Sequence, residues 1–401
     1  MRFLKENELI ARFMAMNIGS GIAVGMVNFI LPLFSLSLDA TTAEIGLIKG
    51  MMGVGDILIV LPAGFLIDYF GTKKMYTVAC LFGSFMILVM SFAQSPTMLL
   101  GLMIFYGISR SLRTTSLNAS FFSNMNAIGI RKGGWFKGAM TAGAQFIGPL
   151  IGGFAIIFLT YPGYFVLASA FLLVPLVVLY LSTNGEKSSD TGPKLHLWES
   201  LRYYRNLLKN KLLVSATLTE CMNSACFMTF STFVTVLIVV NFELSPSIAA
   251  ILIALRGIAQ ILVVIFCGRL LYENHNNLYF ISYIMIIISL LLFGTNSNII
   301  ILAAAAVIMG SFSGLMTLLT FTNVGSIEGE RGKIAGIFAI GTSIGAIFGP
   351  VYGGFIGDTF GVQNIFLGFI PLFVTMACFY LFIGRKQNIA GNISRTIHLK
   401  N

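Results

Sequence analysis

Apolar positions dominate the chain in long runs, separated by short polar breaks. A helix rising about 1.5 Å per residue crosses a hydrocarbon layer of about 30 Å in roughly 20 residues. Twelve runs reach that length. The first six lie near 11–37, 44–67, 75–94, 97–122, 136–159 and 162–182. The other six lie near 212–240, 246–271, 277–295, 298–321, 334–357 and 363–384. One long polar stretch, 183–211, separates the two sets. The pattern predicts an all-α membrane protein with 12 transmembrane helices in two six-helix bundles, 1–182 and 212–401, joined by a linker at 183–211.

Composition agrees. Hydrophobic residues make up 57% of the 401 and charged residues 10%, with a mean hydropathy of +0.89. Soluble domains carry about 25% charged residues because their surfaces face water. The 25 basic and 15 acidic side chains are too few to coat two or three such domains. A cytosolic enzyme, a nucleic-acid-binding domain and a disordered tail are excluded. The short charged start, Met1 to Asn7, is followed by no cleavage-site pattern, so the first apolar run is expected to stay as a span. Cys80, Cys221, Cys226, Cys267 and Cys378 fall in apolar runs without metal-type spacing and read as small buried side chains.

Charge then orients the spans. With both termini cytoplasmic, 21 of the 25 lysines and arginines fall on inner loops and ends, and the six outer loops hold none. The net charge of +10 is thus a topology signal for a multi-pass plasma (bacterial inner) membrane protein, with no nucleic-acid partner. Within the linker, Leu197, Trp198, Leu201, Tyr204, Leu207 and Leu208 recur at helical spacing between Lys194 and Lys211. That segment reads either as an amphipathic helix on the inner membrane surface or as a solvated helix joining the halves.

The halves repeat each other. Gly148-Pro149-Leu150-Ile151-Gly152-Gly153-Phe154 matches Gly349-Pro350-Val351-Tyr352-Gly353-Gly354-Phe355 at an offset of 201. Leu38-Asp39-Ala40-Thr41 answers Phe242-Glu243-Leu244-Ser245 at an offset of 204, and Met16-Asn17 answers Met222-Asn223 at 206. Two pseudo-symmetric halves related by an axis along the membrane normal suit a rocking transporter.

Between spans two and three runs Gly64-Phe65-Leu66-Ile67-Asp68-Tyr69-Phe70-Gly71-Thr72-Lys73-Lys74. It resembles the signature loop of the major facilitator superfamily. The Gly148–Gly153 segment resembles that family's Gly-Pro-x-x-Gly-Gly motif, found in its drug/proton antiporter branch. The resemblance covers nearly the whole chain. It implies the major facilitator fold, secondary active transport and a conformational switch built from Gly64, Asp68, Gly71 and Lys73. Gly148, Pro149, Gly152, Gly153, Gly349, Pro350, Gly353 and Gly354 would complete that switch. Tyr69 and Thr72 stand where the loop usually has basic residues. The second-half loop, Gly268-Arg269-Leu270-Leu271-Tyr272, lacks the aspartate, and span four has no arginine one turn before Gly107. Physically, Asp68 is either a latch that meets the inner end of span eleven or a cap on its own turn. The glycines allow close helix approach, which serves packing as well as switching.

Six charges fall inside spans: Lys49, Asp56, Arg110, Arg113, Glu220 and Arg256. Each costs at least about 2.5–3.5 kcal/mol to insert at mid-span, so such groups face water or each other. Asp56 precedes Asp68 by 12 residues, about 18 Å of helix, which puts it near the midplane. Asp56 and Glu220 are the candidates for proton coupling, and Asp56 is alternatively a static partner for an arginine. Arg110 and Arg113 share a helix face and could grip a carboxylate two-pronged. With Arg256, Asn17, Asn223 and Gln145 they form the candidate substrate site, or else they neutralise Asp56 and Glu220 and bond across helices. No phosphate-binding loop, metal-ligand cluster, cofactor motif or catalytic residue is expected, and the chain does not read as an enzyme. The expected function is proton-coupled export, by antiport, of a small organic solute that could bear a carboxylate. The expected partners are that solute, protons and the lipid bilayer, with the chain monomeric. Uptake of an organic anion by symport and a non-transporting receptor or scaffold are the alternatives.

Overall fold

A computed structural model describes residues 2–124, 128, 133–181, 209–267, 275–325, 327 and 331–398. Among these the chain forms twelve helical rods, α1 to α12. The first six are α1 (Arg2–Ser37), α2 (Thr42–Phe70), α3 (Thr72–Met90), α4 (Pro96–Ser123), α5 (Gly133–Ala142, continuing through Gly148–Phe158) and α6 (Tyr161–Leu181). The second six are α7 (Lys211–Val236), α8 (Pro246–Phe266), α9 (His275–Thr295), α10 (Ile299–Gly325), α11 (Arg331–Phe360) and α12 (Asn364–His398). Residues 182–208, with most of the amphipathic segment, and the Gly268–Tyr272 loop lie outside the described residues.

Ten rods are long and apolar enough to cross a membrane, and α2, broken at Pro62, makes eleven. The sequence pattern predicted twelve. The shortfall is α4, where Arg110, Arg113 and a run of serines and threonines lower the apolar content, while α2 and α3 pack along its sides. Outside, the rods present Phe85, Phe105, Phe154 and Ile265, each exposed, as a lipid-facing surface requires. Cys80 and Cys226 are buried, but Cys221 and Cys267 are partly so, and Cys378 is exposed on the outer face of α12. The expectation of five buried thiols therefore holds for two of them.

Local chemistry sets the ends of the rods. Thr41 accepts from the Glu44 amide while the Glu44 carboxylate takes the Thr41 amide, closing a reciprocal cap on α2. Ser95 with Pro96 starts α4, and Ser245 with Pro246 starts α8. Just before their partners' caps, Asp39 (φ 58°) and Glu243 (φ 54°) take the left-handed conformation that side chains rarely adopt. They occupy equivalent places in the two halves, so the turns repeat as well as the spans. Symmetry breaks in α5, where the turn Gly143–Ile147 widens to i→i+5 bonding immediately before Gly148-Pro149. The α11 counterpart keeps Pro350 inside a continuous helix.

Within the first six rods, α1 packs on α5 and α6, and α3 packs on α4 and α6; in the second six, α7 packs on α10 and α11, and α9 on α10 and α12. The two sets meet along α2–α11, α5–α8 and α1–α7. Glycines set the closest approaches. Gly148 lies on the α1 backbone at Ile22 and Gly25, and Gly349 on the α7 backbone at Ala225, each inside its own half. Gly153 instead faces Ser247 and Ala250 of α8, and Gly354 faces Ala43 and Gly46 of α2. Those two partner pairs are related by the same offset of 204 as the turns.

These cross-half contacts lie toward the end of the molecule where α2 and α8 begin, opposite the face that carries the termini. At the terminal face the corresponding glycines, Gly64, Gly71, Gly134 and Gly138, meet nothing within 4 Å. The seam is closed on the far face and parted at the terminal face.

Candidate substrate and coupling site

In the first half, the polar centre is built by the close crossing of α2 and α4. Gly55 presses on the backbone at Ile104, and Gly107 on the backbone at Met52. That approach brings the Asp56 carboxylate to the Arg110 guanidinium, and they form an ion pair. Asp56 is 5% exposed and Arg110 is 21% exposed, so the pair has one sealed end and one end open to solvent. Asp56 Oδ1 has no hydrogen-bond partner among the described residues. Lys49, fully buried, donates to Asn28 Oδ1 at 2.5 Å and lies within electrostatic reach of Arg110. Arg113 is 1% exposed among Tyr76, Cys80 and Tyr106 and makes no hydrogen bond. Arg110 and Arg113, placed on one face by their spacing, therefore occupy different surroundings.

In the second half, Arg256 is 1% exposed and held by neutral acceptors. It donates to Gln145 Oε1 of α5 at 3.0 Å, Gln260 Oε1 at 3.2 Å and Ser313 Oγ at 3.2 Å. Its guanidinium also lies 4.5 Å from the Phe227 ring centre. Gly257 on the Gln145 backbone and Gly310 on the Arg256 backbone allow this crowding. Gln145 and Arg256 are thus joined across the seam, as a shared site needs. Glu220 accepts from Thr320 Oγ1 at 3.3 Å, with Asn223 beside it. It is paired with none of the arginines. Its nearest opposite charge is Lys137 of α5, an exposed side chain in the other half.

Asn223 donates to Thr317 Oγ1 at 3.1 Å, and Asn17 donates to the Phe136 carbonyl at 2.9 Å. Both bond across helices of their own half. Sequence reasoning assigned Lys137 to an inner loop and gave no role to Asn28 or Tyr106. The Lys49–Asn28 bond was detectable only as two polar residues at similar depth in adjacent spans.

Among the switch candidates, Gly71 (φ 87°) closes α2 by donating to the Ile67 carbonyl at 2.8 Å, a geometry that needs glycine. Lys73 lies 4.9 Å from the Tyr180 ring centre. Asp68 is exposed and has no partner among the described residues. Gly152 packs on Tyr164 and Phe29, and Gly353 on Thr229, Phe233 and Ile365, each in its own half. The four-residue motif therefore turns its outer glycines two ways. The first and third look inward to the bundle, and the last looks across the seam.

Comparison with known proteins agrees with this architecture. The family model for the Major Facilitator Superfamily matches residues 13–271 and 216–396. An uncharacterized MFS-type transporter of Methanocaldococcus jannaschii is 27% identical over 359 residues, covering 86% of this chain and 90% of that protein. Multidrug resistance protein 1 of Bacillus subtilis is 24% identical over 346 residues, covering 84% and 86%. Among solved structures, the nucleoside transporter NupG superposes with a TM-score of 0.77 at 15% identity, covering 93% of this chain and 98% of that one. A bacterial homologue of the human lysosomal transporter Spinster, inward-facing and unoccupied, gives 0.76 at 15%, covering 95% and 97%. The last two show a shared fold.

Proposed function

Because the chain belongs to the Major Facilitator Superfamily, and so is a multi-pass membrane transporter for a small-molecule substrate, we propose that it exports an organic solute in exchange for protons. The halves 1–182 and 212–401 rock about the substrate as two bodies, with 183–211 as their tether. Both termini are cytoplasmic, the membrane is the plasma membrane, and the working unit is one chain.

One observation carries this reading: the ion pair of Asp56 and Arg110, sealed at the carboxylate and wet at the guanidinium. Protonation of Asp56 cancels its charge and frees Arg110, which then takes the substrate's anionic group. Loss of the proton restores the pair and expels that group. Binding of proton and substrate is thereby exclusive, which is the requirement for antiport. Arg256 and Gln145 would hold the substrate from the second half, with Asn223 and Asn17 lining the approach. Glu220, facing Lys137 across the seam, would be a second proton site. Export is supported by the likeness to a protein called multidrug resistance protein 1. An anionic group on the substrate is supported by four basic against two acidic side chains within the spans.

The test is proton movement in vesicles that contain the purified chain and a trapped pH-sensitive dye. A panel of drugs and carboxylate metabolites would be added under an imposed proton gradient. The expected result is substrate-driven proton release against the direction of solute movement. Asp56→Asn should lose it while still exchanging the same compound down its own gradient. Proton and solute moving together would indicate uptake symport instead. Normal proton-linked accumulation by Asp56→Asn would remove the coupling assignment.

A further inference from the structure

We propose that the first half holds a resident inorganic anion of chloride's size, bound between Arg113 and Tyr106 and distinct from the transported solute. Arg113 is 1% exposed, and its Nε, Nη1 and Nη2 all lack a hydrogen-bond partner among the described residues. A guanidinium offers five N–H donors and no acceptor. The Tyr106 hydroxyl, wholly buried, lies beside it and completes no hydrogen bond either. Tyr76, 2% exposed on α3, is a third neighbour with a free hydroxyl. Every unpartnered group at this spot is therefore able to donate, and the missing component is an acceptor. A buried cation without an acceptor or counter-charge is among the most costly arrangements a protein interior can hold.

The surrounding charges fix the sign of the missing group. Lys49, Arg110 and Arg113 supply three positive side chains to the described interior of this half, and Asp56 supplies the single negative one. Arg110 already engages Asp56, and Lys49 has only the neutral Asn28 carbonyl. A small anion meets both needs, as acceptor and as counter-charge. The burial of Arg113, Tyr106 and Tyr76 leaves the organic body of a solute nowhere to sit, which separates this site from the seam. The competing acceptor is Asp56 itself, whose Oδ1 is unpartnered and which lies within electrostatic reach of Arg113.

The experiment measures thermal stability of the purified full chain in detergent, with sodium gluconate replaced stepwise by sodium chloride at constant ionic strength. A ligand that binds only the folded state raises stability saturably. The expected wild-type result is a saturating rise in Tm on the order of 5 °C. Tyr106→Phe keeps the packing and removes one donor to the ion, so half-saturation should need roughly tenfold more chloride. Arg113→Gln should abolish the response. If Arg113→Gln does not fold, Tyr106→Phe decides alone. The proposal is overturned if wild type melts identically in chloride and gluconate, the outcome expected if Asp56 serves Arg113. It is equally overturned if Tyr106→Phe shows the wild-type chloride curve. No substrate enters this assay, so its result is independent of the transport reading.

Discussion

Adding one methyl group to Gly354 tests whether the seam moves. A Cβ there would stand 2.8 Å from the Thr42 carbonyl, 3.1 Å from Gly46 Cα and 3.2 Å from Ala43 Cα. All three are backbone atoms of α2, so no rotamer change can relieve the contact, and the halves must part locally. Overpacking of this kind costs typically about 1–3 kcal/mol. The cost falls only on the arrangement in which the far-face seam is closed. If the two facings of the transporter are close in free energy, that penalty shifts their ratio by roughly 5- to 150-fold toward the far-side-open form. Gly148→Ala is the contrast. Its Cβ would meet the Ile22 carbonyl at 2.6 Å and Gly25 Cα at 2.8 Å, inside one bundle, so both facings suffer alike. The measurement is labelling of single cysteines placed at each face, with thermal stability recorded in parallel. Gly354→Ala should raise far-face labelling with near-normal stability. Gly148→Ala should lower stability with unchanged labelling. Gly64→Ala, which meets nothing within 4 Å, should do neither. Equal labelling in wild type and Gly354→Ala, with the protein folded, would refute a seam that opens along α2 and α11.

Two further outcomes follow from the buried charges and the signature loop. Arg110→Lys keeps the charge but loses the planar fork, so solute affinity should fall about tenfold while stability stays near wild type. Arg110→Ala should destabilise by less than the roughly 3–5 kcal/mol of a fully buried pair, since Asp56 can take up a proton, and Asp56→Asn in the same chain should restore stability. Equal melting of the single and double variants would show that the pair is not coupled. Asp68→Asn should leave the melting temperature of the present terminal-side-open form unchanged but increase terminal-face labelling. Unchanged labelling would make Asp68 a local cap.

Much of the architecture was legible because span length is a one-dimensional property of hydrophobic runs. The halves' equivalence was legible too, since Asp39 and Glu243 sit at one offset and share one backbone need. Helix rotation was not. Arg110 and Arg113 look alike in sequence, yet three residues turn a helix about 300°, enough to put one at the wet end of a pair and the other in a sealed core. Glu220 looked like a counter-charge for an arginine, but register turns it to Thr320 and toward Lys137 instead. Arg256 could not be matched to its acceptors because amides and hydroxyls on three different helices satisfy it. The shortage of apolar residues in α4 was visible, but that α2 and α3 shield it is a tertiary fact.

The last glycine of each motif contacts the second helix of the opposite half, at residues one offset apart. Such a junction is isologous: the same patch is used twice, as in a two-fold homodimer. Each half therefore carries a surface complementary to itself. Produced alone, the first six helices would present α2 and α5 to another copy in the same register that the natural partner uses. The modern chain reads, in this light, as a dimer whose subunits have been covalently tied and then allowed to diverge. The tie has let charge become unequal across the two-fold axis, with Lys49, Asp56, Arg110 and Arg113 on one side and Glu220 and Arg256 on the other. A strict dimer could not hold that asymmetry, because every charge it gained would appear twice.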